Sequence, residues 1–279
     1  MDLNEKRKEF LSTGAVTFEK YELQNINTWL NAAKEAVKKY VDYWKTLSDE
    51  DPKKWDRHSQ DRLWINKNDL KVGDLLKRPP EPLEDFAKLI IGPKVLWPCG
   101  PQLACLLPGY PGGPPPGKCE NKNLKCGNPH MDGKGGRRPN SLLIGVLISD
   151  VPQGMNEGQP LHLPLSHLEI VQRFKELASN DVSLKAPAPC APQKDPVNEC
   201  VVKPTRQRWW RERVPFYGPA GTAFVYHGAL IHGMAQSENL QRDALYYRIA
   251  YPDSNASDGY CVDFEVPVRE GWHLDLPKD

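Results

Sequence analysis

The sequence predicts a mainly β protein with added α: a jelly roll, the double-stranded β-helix of cupin type, following a helical N-terminal segment. Three observations lead there. From residue 95 on, the apolar stretches are short, rich in branched residues and bounded by turn formers, with no alternation of strand-length and helix-length patterns. Helical periodicity, in contrast, dominates the segment before residue 94. Finally, 27 of the 279 residues are proline, concentrated at 108–116, 186–196 and 214–219. A residue without an N–H suits rigid loops and strand flanks rather than ladder interiors. The expected organisation is a single domain over 1–279, mainly helical over 1–94, with the jelly-roll core over 95–279 and long proline-rich loops.

In chain order, Ile26, Trp29, Leu30, Ala33, Val37, Tyr40, Val41 and Trp44 recur at helical spacing and predict a helix over 26–46, with Lys34, Glu35, Lys38 and Lys39 on its solvated side. A shorter helix is expected over 82–91, opened by Pro80 and Pro82 and burying Leu83, Phe86, Leu89 and Ile90. Between them, 49–62 is polar and irregular. Strands are expected at Leu103–Leu107, Leu142–Ser149, Ala223–His227, Ala244–Ala250 and Cys261–Pro267. A short connecting helix is expected over Leu168–Ala178, with Ser166 as its N-cap.

The bulk properties exclude several function classes. With 37 basic and 36 acidic residues and a net charge of +1, no global field draws the chain to nucleic acid or an anionic membrane. No run approaches the ~18 apolar residues of a membrane helix. Met1–Lys6 lacks the apolar stretch of a signal peptide, and Leu-Pro-Lys-Asp at the end is not a peroxisomal address. Seven cysteines include no Cys-x-x-Cys, and the spacing of Cys99, Cys105, Cys119 and Cys126 fits no zinc finger or ribbon. Reduced thiols in a cytoplasmic protein are expected, and the sequon at Asn255-Ala256-Ser257 has no consequence without secretion.

The chemistry concentrates in two places. His130-Met131-Asp132 sits in a glycine-rich mouth with Gly127 before it and Gly133, Gly135 and Gly136 after it. In an extended strand, residues two apart point the same way, so both donors face one metal. Two imidazoles and one carboxylate occupy one face of an octahedral Fe(II), leaving the other for a bidentate cosubstrate and O2. The third ligand must come from elsewhere, and His227 and His232 compete for it within Gly-Thr-Ala-Phe-Val-Tyr-His-Gly-Ala-Leu-Ile-His-Gly at 221–233. Beyond them, the guanidinium of Arg242 suits the far carboxylate of a 2-oxo acid through paired hydrogen bonds. The plain alternatives are a solvated turn for His130 and Asp132 and a buried acid partner for Arg242. If Arg242 points inward on a strand, Ala244, Tyr246 and Arg248 do as well. Arg248 is read as an ion-paired structural residue, and His162 and His167 as supporting rather than ligating groups.

Together with Pro164-Leu165-Ser166-His167, Asn239 and the segment Arg242–Arg248, these motifs resemble the phytanoyl-CoA hydroxylase-like Fe(II)/2-oxoglutarate-dependent oxygenases. The likeness covers roughly 95–252, with a weaker echo of a Phe…Gly segment at Phe10–Phe18. It implies that the N-terminal helices brace a jelly-roll core and that the whole chain is one catalytic domain. It implies ligation by His130, Asp132 and His232, the last because the family's distal histidine precedes its arginine by ten or eleven residues. It also implies 2-oxoglutarate binding by Arg242, with Gln102 nearby, and the use of Fe(II) and O2. Thr222 departs from the family by replacing an acid, Met234 by replacing a small residue, and Leu106–Tyr110 by offering no lysine. Asp132 disfavours halogenation, since related halogenases replace this carboxylate with a small residue.

The expected activity is therefore that of a dioxygenase oxidising an unactivated C–H bond of a small molecule, by hydroxylation, cyclisation or desaturation in natural-product biosynthesis. Arg137 and Arg138 follow the metal loop, and the 206–213 segment adds Arg206, Arg208, Arg211 and Arg213. If these border the mouth, they favour an anionic substrate; the plain alternative is pairing with acids such as Glu212. Trp209 and Trp210 could stack on a nucleobase, but one patch without global basicity argues against a nucleic-acid partner. A monomer or weak homo-oligomer is expected, with no membrane partner. The alternatives are an acyl-CoA hydroxylase of the same family and, in another class, a non-enzymatic jelly-roll protein that has kept a metal.

Overall fold

Two antiparallel β-sheets face each other, and helices cover the outer face of the larger one. The computed structural model describes residues 1–50, 73–93, 95, 101–106, 129–130, 142–153, 158–179, 208–209, 211–235, 237 and 239–249, without the side chains of 43–50 and 173–179. The expected strand Cys261–Pro267 and the proline-rich 108–116 and 186–196 lie outside the described residues. The large sheet has the order β1-β6-β3-β8-β2, and the small one β5-β4-β7. Their strands are β1 (Ala15–Phe18), β2 (Gln102–Leu106), β3 (Leu142–Leu147), β4 (Pro160–His162), β5 (Val214–Pro215), β6 (Ala223–His227), β7 (His232–Met234) and β8 (Arg242–Ile249). An isolated antiparallel bridge joins His130 to His232, extending the small sheet beyond β7.

The large sheet is buried on both faces, which is why its strands read as near-continuous apolar runs. Strand periodicity divides them cleanly. Leu103, Cys105, Leu142, Ile144, Val146, Ala223, Val225, Leu245, Tyr247 and Ile249 pack outward with the helices. Ala104, Leu143, Leu147, Phe224, Tyr226, Ala244 and Tyr246 pack inward, with Phe216 and Leu230. Gly145 is the inward position of β3 between Leu143 and Leu147, directly opposite Phe224 on β6. A side chain there would enter the space of the Phe224 ring.

Three of the helices follow from their sequence patterns. Helix α1 (Leu3–Thr13) is capped at its start by Asp2, whose carboxylate accepts from Asn4 N, and ends at Gly14 with φ 81°. This helix, and β1 after it, escaped the sequence reading; the Phe…Gly echo at Phe10–Phe18 marks their junction. The expected α2 is found and runs further, over Ile26–Glu50. Ile26, Trp29, Leu30, Ala33, Val37 and Tyr40 are buried along one stripe, as expected. Helix α3 (Leu83–Ile91) appears where predicted, but its buried face is Leu83, Phe86, Ala87 and Ile91. Leu89 is 39 % exposed, because the helix turns Ala87 rather than Leu89 toward the sheet. Phe86 stands edge-on to Phe10 and Phe18, with ring centroids 5.7 and 5.2 Å apart, tying α3 to α1 and β1.

Helix α4 spans Ser166–Ser179, two residues earlier than expected. Ser166 is not used as the predicted cap: its hydroxyl donates to Leu163 O at 2.8 Å and accepts from Ile231 N at 2.9 Å. It thereby ties the start of α4 to the turn that leads into β7. Pro215 falls on β5, which pairs with β4 alone and so sits where a missing N–H costs least. Among the described residues, no helix is long and apolar enough to cross a membrane.

Gly145→Ala is expected to destabilise the fold by about 1–3 kcal/mol through overpacking against Phe224. Urea denaturation measures this, and adding Phe224→Leu should restore part of the lost midpoint. An unchanged midpoint in Gly145→Ala would contradict the cross-strand contact.

Candidate functional site

Between the two sheets lies a cavity that opens to solvent. Its wall is formed by Gln102, His130, Leu143, Pro160, Phe224, Tyr226, His232, Gly233, Met234, Tyr246 and Arg248. Apolar and aromatic groups predominate, with a few polar groups converging, as is usual for small-molecule sites.

His130 and His232 exchange backbone hydrogen bonds in both directions, each at 3.0 Å. Directly opposed residues in an antiparallel pair send their side chains to the same face, and here the two imidazole centroids are 4.7 Å apart. His232 is buried, and its Nδ1 lies 2.9 Å from Leu230 O. A carbonyl only accepts, so Nδ1 carries the proton and Nε2 keeps its lone pair, which is the tautomer a metal-binding imidazole needs. The structure thus brings together two of the three predicted metal-ligating residues. Asp132, the third, lies outside the described residues, as do Arg137 and Arg138. Among the described residues alone, no group of three metal-ligating side chains forms.

His227 occupies a different place. It ends β6 at an outward position, its ring 5.9 Å from Phe10 and 5.2 Å from His167. Its Nδ1 accepts from Ala229 N at 3.0 Å. The imidazole therefore belongs to the layer between sheet and helices rather than to the cavity wall. His167 is buried beside it, with Nε2 3.2 Å from Leu11 O, and burial lowers its pKa. His162 lies opposite His232 on β4, with its ring 5.2 Å from that of Tyr226. Burial first, and then repulsion from His232 whenever that ring is also protonated, bring its pKa down to about 4, so it is neutral at physiological pH.

Arg242 opens β8 on the inward face and is completely buried. Its Nε donates to Gly158 O at 3.0 Å and its Nη1 to Tyr246 Oη at 3.0 Å, while Nη2 touches the Met234 sulfur. No carboxylate among the described residues pairs with it. The plain alternative of a buried acid partner is therefore not seen there, and a desolvated cation is left with two neutral oxygens and a weak thioether acceptor. Met234, the departure from the family pattern, is the side chain that lies against the guanidinium. Gly158, at φ 71°, brings its backbone close: a Cβ there would stand 3.2 Å from the Arg242 Cβ.

Gln102, on β2, is directly opposite Tyr246, and its Oε1 accepts from Arg248 Nη1 at 2.6 Å. Both Gln102 and Arg248 line the cavity. The sequence reading placed Arg248 on the inward face with Arg242 and Tyr246 but did not assign it to the site. It also missed Phe224 and Tyr226, whose inward position follows from alternation along β6 once the register is known. Tyr226 is buried, its hydroxyl has no hydrogen-bond partner among the described residues, and burial raises its pKa well above the ordinary range.

Two further expectations can be compared with their surroundings. Arg208 pairs with Glu212 at 2.5 Å and also with Glu169, the plain alternative for that cluster. Trp209 is fully buried, with the Arg213 guanidinium 5.9 Å from its ring centroid, so it offers no face to a base. Thr222 is fully buried against Gly218, where an acid would be desolvated.

No protein-family model matches the sequence, and no curated protein matches it significantly. Solved structures do resemble the fold. EvdMO1 superposes with a TM-score of 0.51 at 17% identity, over 90% of this chain and 50% of that one, so the chain spans about half the length of EvdMO1. AviO1 from Streptomyces viridochromogenes Tue57 superposes with a TM-score of 0.51 at 16% identity, over 90% of this chain and 96% of its own. ThoJ, a non-heme monooxygenase in a nickel complex, gives 0.48 at 17% identity over 90% and 78%. At such identities the two superpositions at 0.51 support the fold, and the chemistry must be argued from the site.

Proposed function

We propose that the chain is an Fe(II)- and 2-oxoglutarate-dependent oxygenase acting on an unactivated C–H bond of a small anionic metabolite, and that its two sheets are the halves of a jelly roll. The observation that carries the reading is the pairing of His130 with His232 on the wall of a cavity whose adjoining core buries the guanidinium of Arg242, which no carboxylate among the described residues pairs. The strand order supports the jelly roll. From β2 on, successive strands fall in the large, small, large, small, small, large, small and large sheets, counting His130 as the second.

The residues present fit the proposed metal. His130 and His232 project from neighbouring backbone positions, and the Leu230 carbonyl holds His232 in the metal-binding tautomer. Asp132 is two residues from His130, the spacing that a shared metal requires. Bound there with 2-oxoglutarate and O2, Fe(II) would supply the oxidant that takes hydrogen from a C–H bond, with release of succinate and CO2. The chain's own residues have simpler tasks. Arg242 is placed to meet a carboxylate, with Met234 moving aside, and Gly158 O and Tyr246 Oη hold the guanidinium in orientation. Phe224, Tyr226, Tyr246 and Leu143 would hold the substrate's body and exclude water from it. An acyl-CoA hydroxylase remains the alternative within the class. The alternative outside it, a binding protein that has kept a metal, predicts no turnover. Succinate formation from 2-oxoglutarate without substrate separates the two.

Anaerobic addition of Fe(II) and 2-oxoglutarate should produce a weak visible charge-transfer band. His130→Ala, Asp132→Ala and His232→Ala should each abolish it, and His227→Ala should leave it in place. A band that survives His232→Ala and disappears in His227→Ala would reverse the histidine assignment.

Arg242→Ala should raise the apparent constant for 2-oxoglutarate roughly 10- to 150-fold, matching the ~1.5–3 kcal/mol of a charge-assisted contact. Iron binding should be nearly intact in that variant, as judged by metal content. Unchanged dependence on 2-oxoglutarate would remove Arg242 from the site.

A further inference from the structure

We infer that the cavity holds a second carboxylate site, built by Gln102 and Arg248, which receives the anionic group of the substrate. The inference rests on the cavity being the oxygenase site proposed above, and it names the group by which that site selects its substrate.

The argument begins with the Gln102 amide. The side chain is buried, and its Oε1 is fixed by Arg248 Nη1 at 2.6 Å. That bond settles which way the amide faces, so Nε2 is turned elsewhere, and it is buried with no acceptor among the described residues. Leaving such a donor unsatisfied is unfavourable, and native proteins do so mainly where a ligand or water completes the set. Gln102 and Arg248 both stand on the cavity wall, and no aspartate or glutamate joins them there among the described residues. An entering oxyanion would meet the Nε2 hydrogens on one side and the Arg248 guanidinium on the other.

Position separates this pair from Arg242. Arg242 lies opposite Leu106 and Arg248 opposite Leu143, six residues along the same strand, which is about 20 Å of extended backbone. Arg242 is enclosed by Gly158, Tyr246 and Met234 and is absent from the cavity wall, whereas Arg248 is on it. A cosubstrate with one end at the histidines and its far carboxylate on Arg242 leaves Arg248 for a different molecule. The wall between offers Leu143, Phe224, Tyr226 and Tyr246. The matching ligand is a carboxylate carried on a small apolar or aromatic body.

Titration of the full-length protein with 3-phenylpropionate and its uncharged analogue 3-phenylpropanamide, followed by ligand-observed NMR, tests this. It is run anaerobically with Fe(II), with and without saturating 2-oxoglutarate. The carboxylate should bind roughly tenfold or more tightly than the amide, the lower bound for a charge-assisted contact. Arg248→Met and Gln102→Leu should each reduce that preference, while Arg248→Lys should keep part of it and serve as the folded control. The preference should persist with 2-oxoglutarate present. Equal binding of the two probes by the unmodified protein, including no binding of either, overturns the site. Displacement of 3-phenylpropionate by 2-oxoglutarate, with weakened 2-oxoglutarate binding in Arg248→Met, assigns the pair to the cosubstrate and overturns the substrate site, leaving the oxygenase reading intact. A retained charge preference in protein that forms no Fe(II)–2-oxoglutarate band supports the carboxylate site and overturns the oxygenase reading alone.

Discussion

The register of β8 within the large sheet is the constraint on which the rest depends. β8 pairs with β3 on one side and β2 on the other, so each of its eight residues is held by at least one neighbour and Ala244, Leu245 and Tyr246 by both. Because side chains alternate with a period of two, a slip of one residue would exchange its faces. Arg242, Tyr246 and Arg248 would then point at the helices, and Leu245, Tyr247 and Ile249 would fill the cavity. The outward face resists such a slip in two ways. It is buried among α1, α2 and α3, and the Tyr247 hydroxyl donates to Leu76 O at 3.0 Å. The chemistry of the inner face is thus held in place by packing on the outer one.

A buried guanidinium is a cost that the fold must offset. Charge taken out of water is penalised by several kcal/mol unless paired, and around Arg242 the described protein supplies a carbonyl, a phenol and a thioether. Asp243, the adjacent residue, does not help. It faces the opposite side of the strand, where its backbone N–H donates to Ser149 Oγ at 2.8 Å and its side chain accepts from Gln241 Nε2 at 2.9 Å. Burial raises the pKa of that carboxyl, a shift that Gln241, Cys105 and Arg242 only partly oppose. Among the described residues, the acid next to Arg242 in sequence therefore lies on the other side of the strand from the cavity. An ion pair between Arg242 and a protein carboxylate would be the more stable arrangement and would leave no role for a cosubstrate.

The sequence revealed most of the large elements. The stripe of α2, the strand Ala223–His227 and the core of β3 were all readable because each satisfies one period over enough residues. Other elements were hidden for physical reasons. β4, β5 and β7 span only two or three residues each, too few to display any period, and they exist because the large sheet gives them a surface to face. Helix α1 is mostly polar, and its single fully buried anchor, Phe10, creates no stripe. Leu89 was assigned to the buried face of α3 on hydrophobicity, but a nine-residue helix has room for one buried face, and the small Ala87 lets it approach the sheet more closely. In the candidate site, the motifs pointed to His130 and Arg242, and the family resemblance to His232. Neither could give Gln102 its orphaned amide or Arg248 its place on the wall, because both depend on cross-strand pairing between residues more than a hundred positions apart.

The separation of the two cations along β8 also bears on how such a cavity could discriminate between two anionic ligands. A single strongly cationic pocket would bind either carboxylate and let each inhibit the other. Here the two guanidiniums differ in desolvation as well as position. Arg242 has no exposure and a removable thioether cover, while Arg248 is only partly buried. A ligand reaching Arg242 must displace Met234 and accept full desolvation, which a compact dicarboxylate with a second anchor at the histidines can sustain. A bulkier monocarboxylate gains no such second anchor and is better served by Arg248 and the unsatisfied amide of Gln102. On that proposal, selectivity would arise from differences in burial and reach between two like charges, with no repulsive group needed in the described wall.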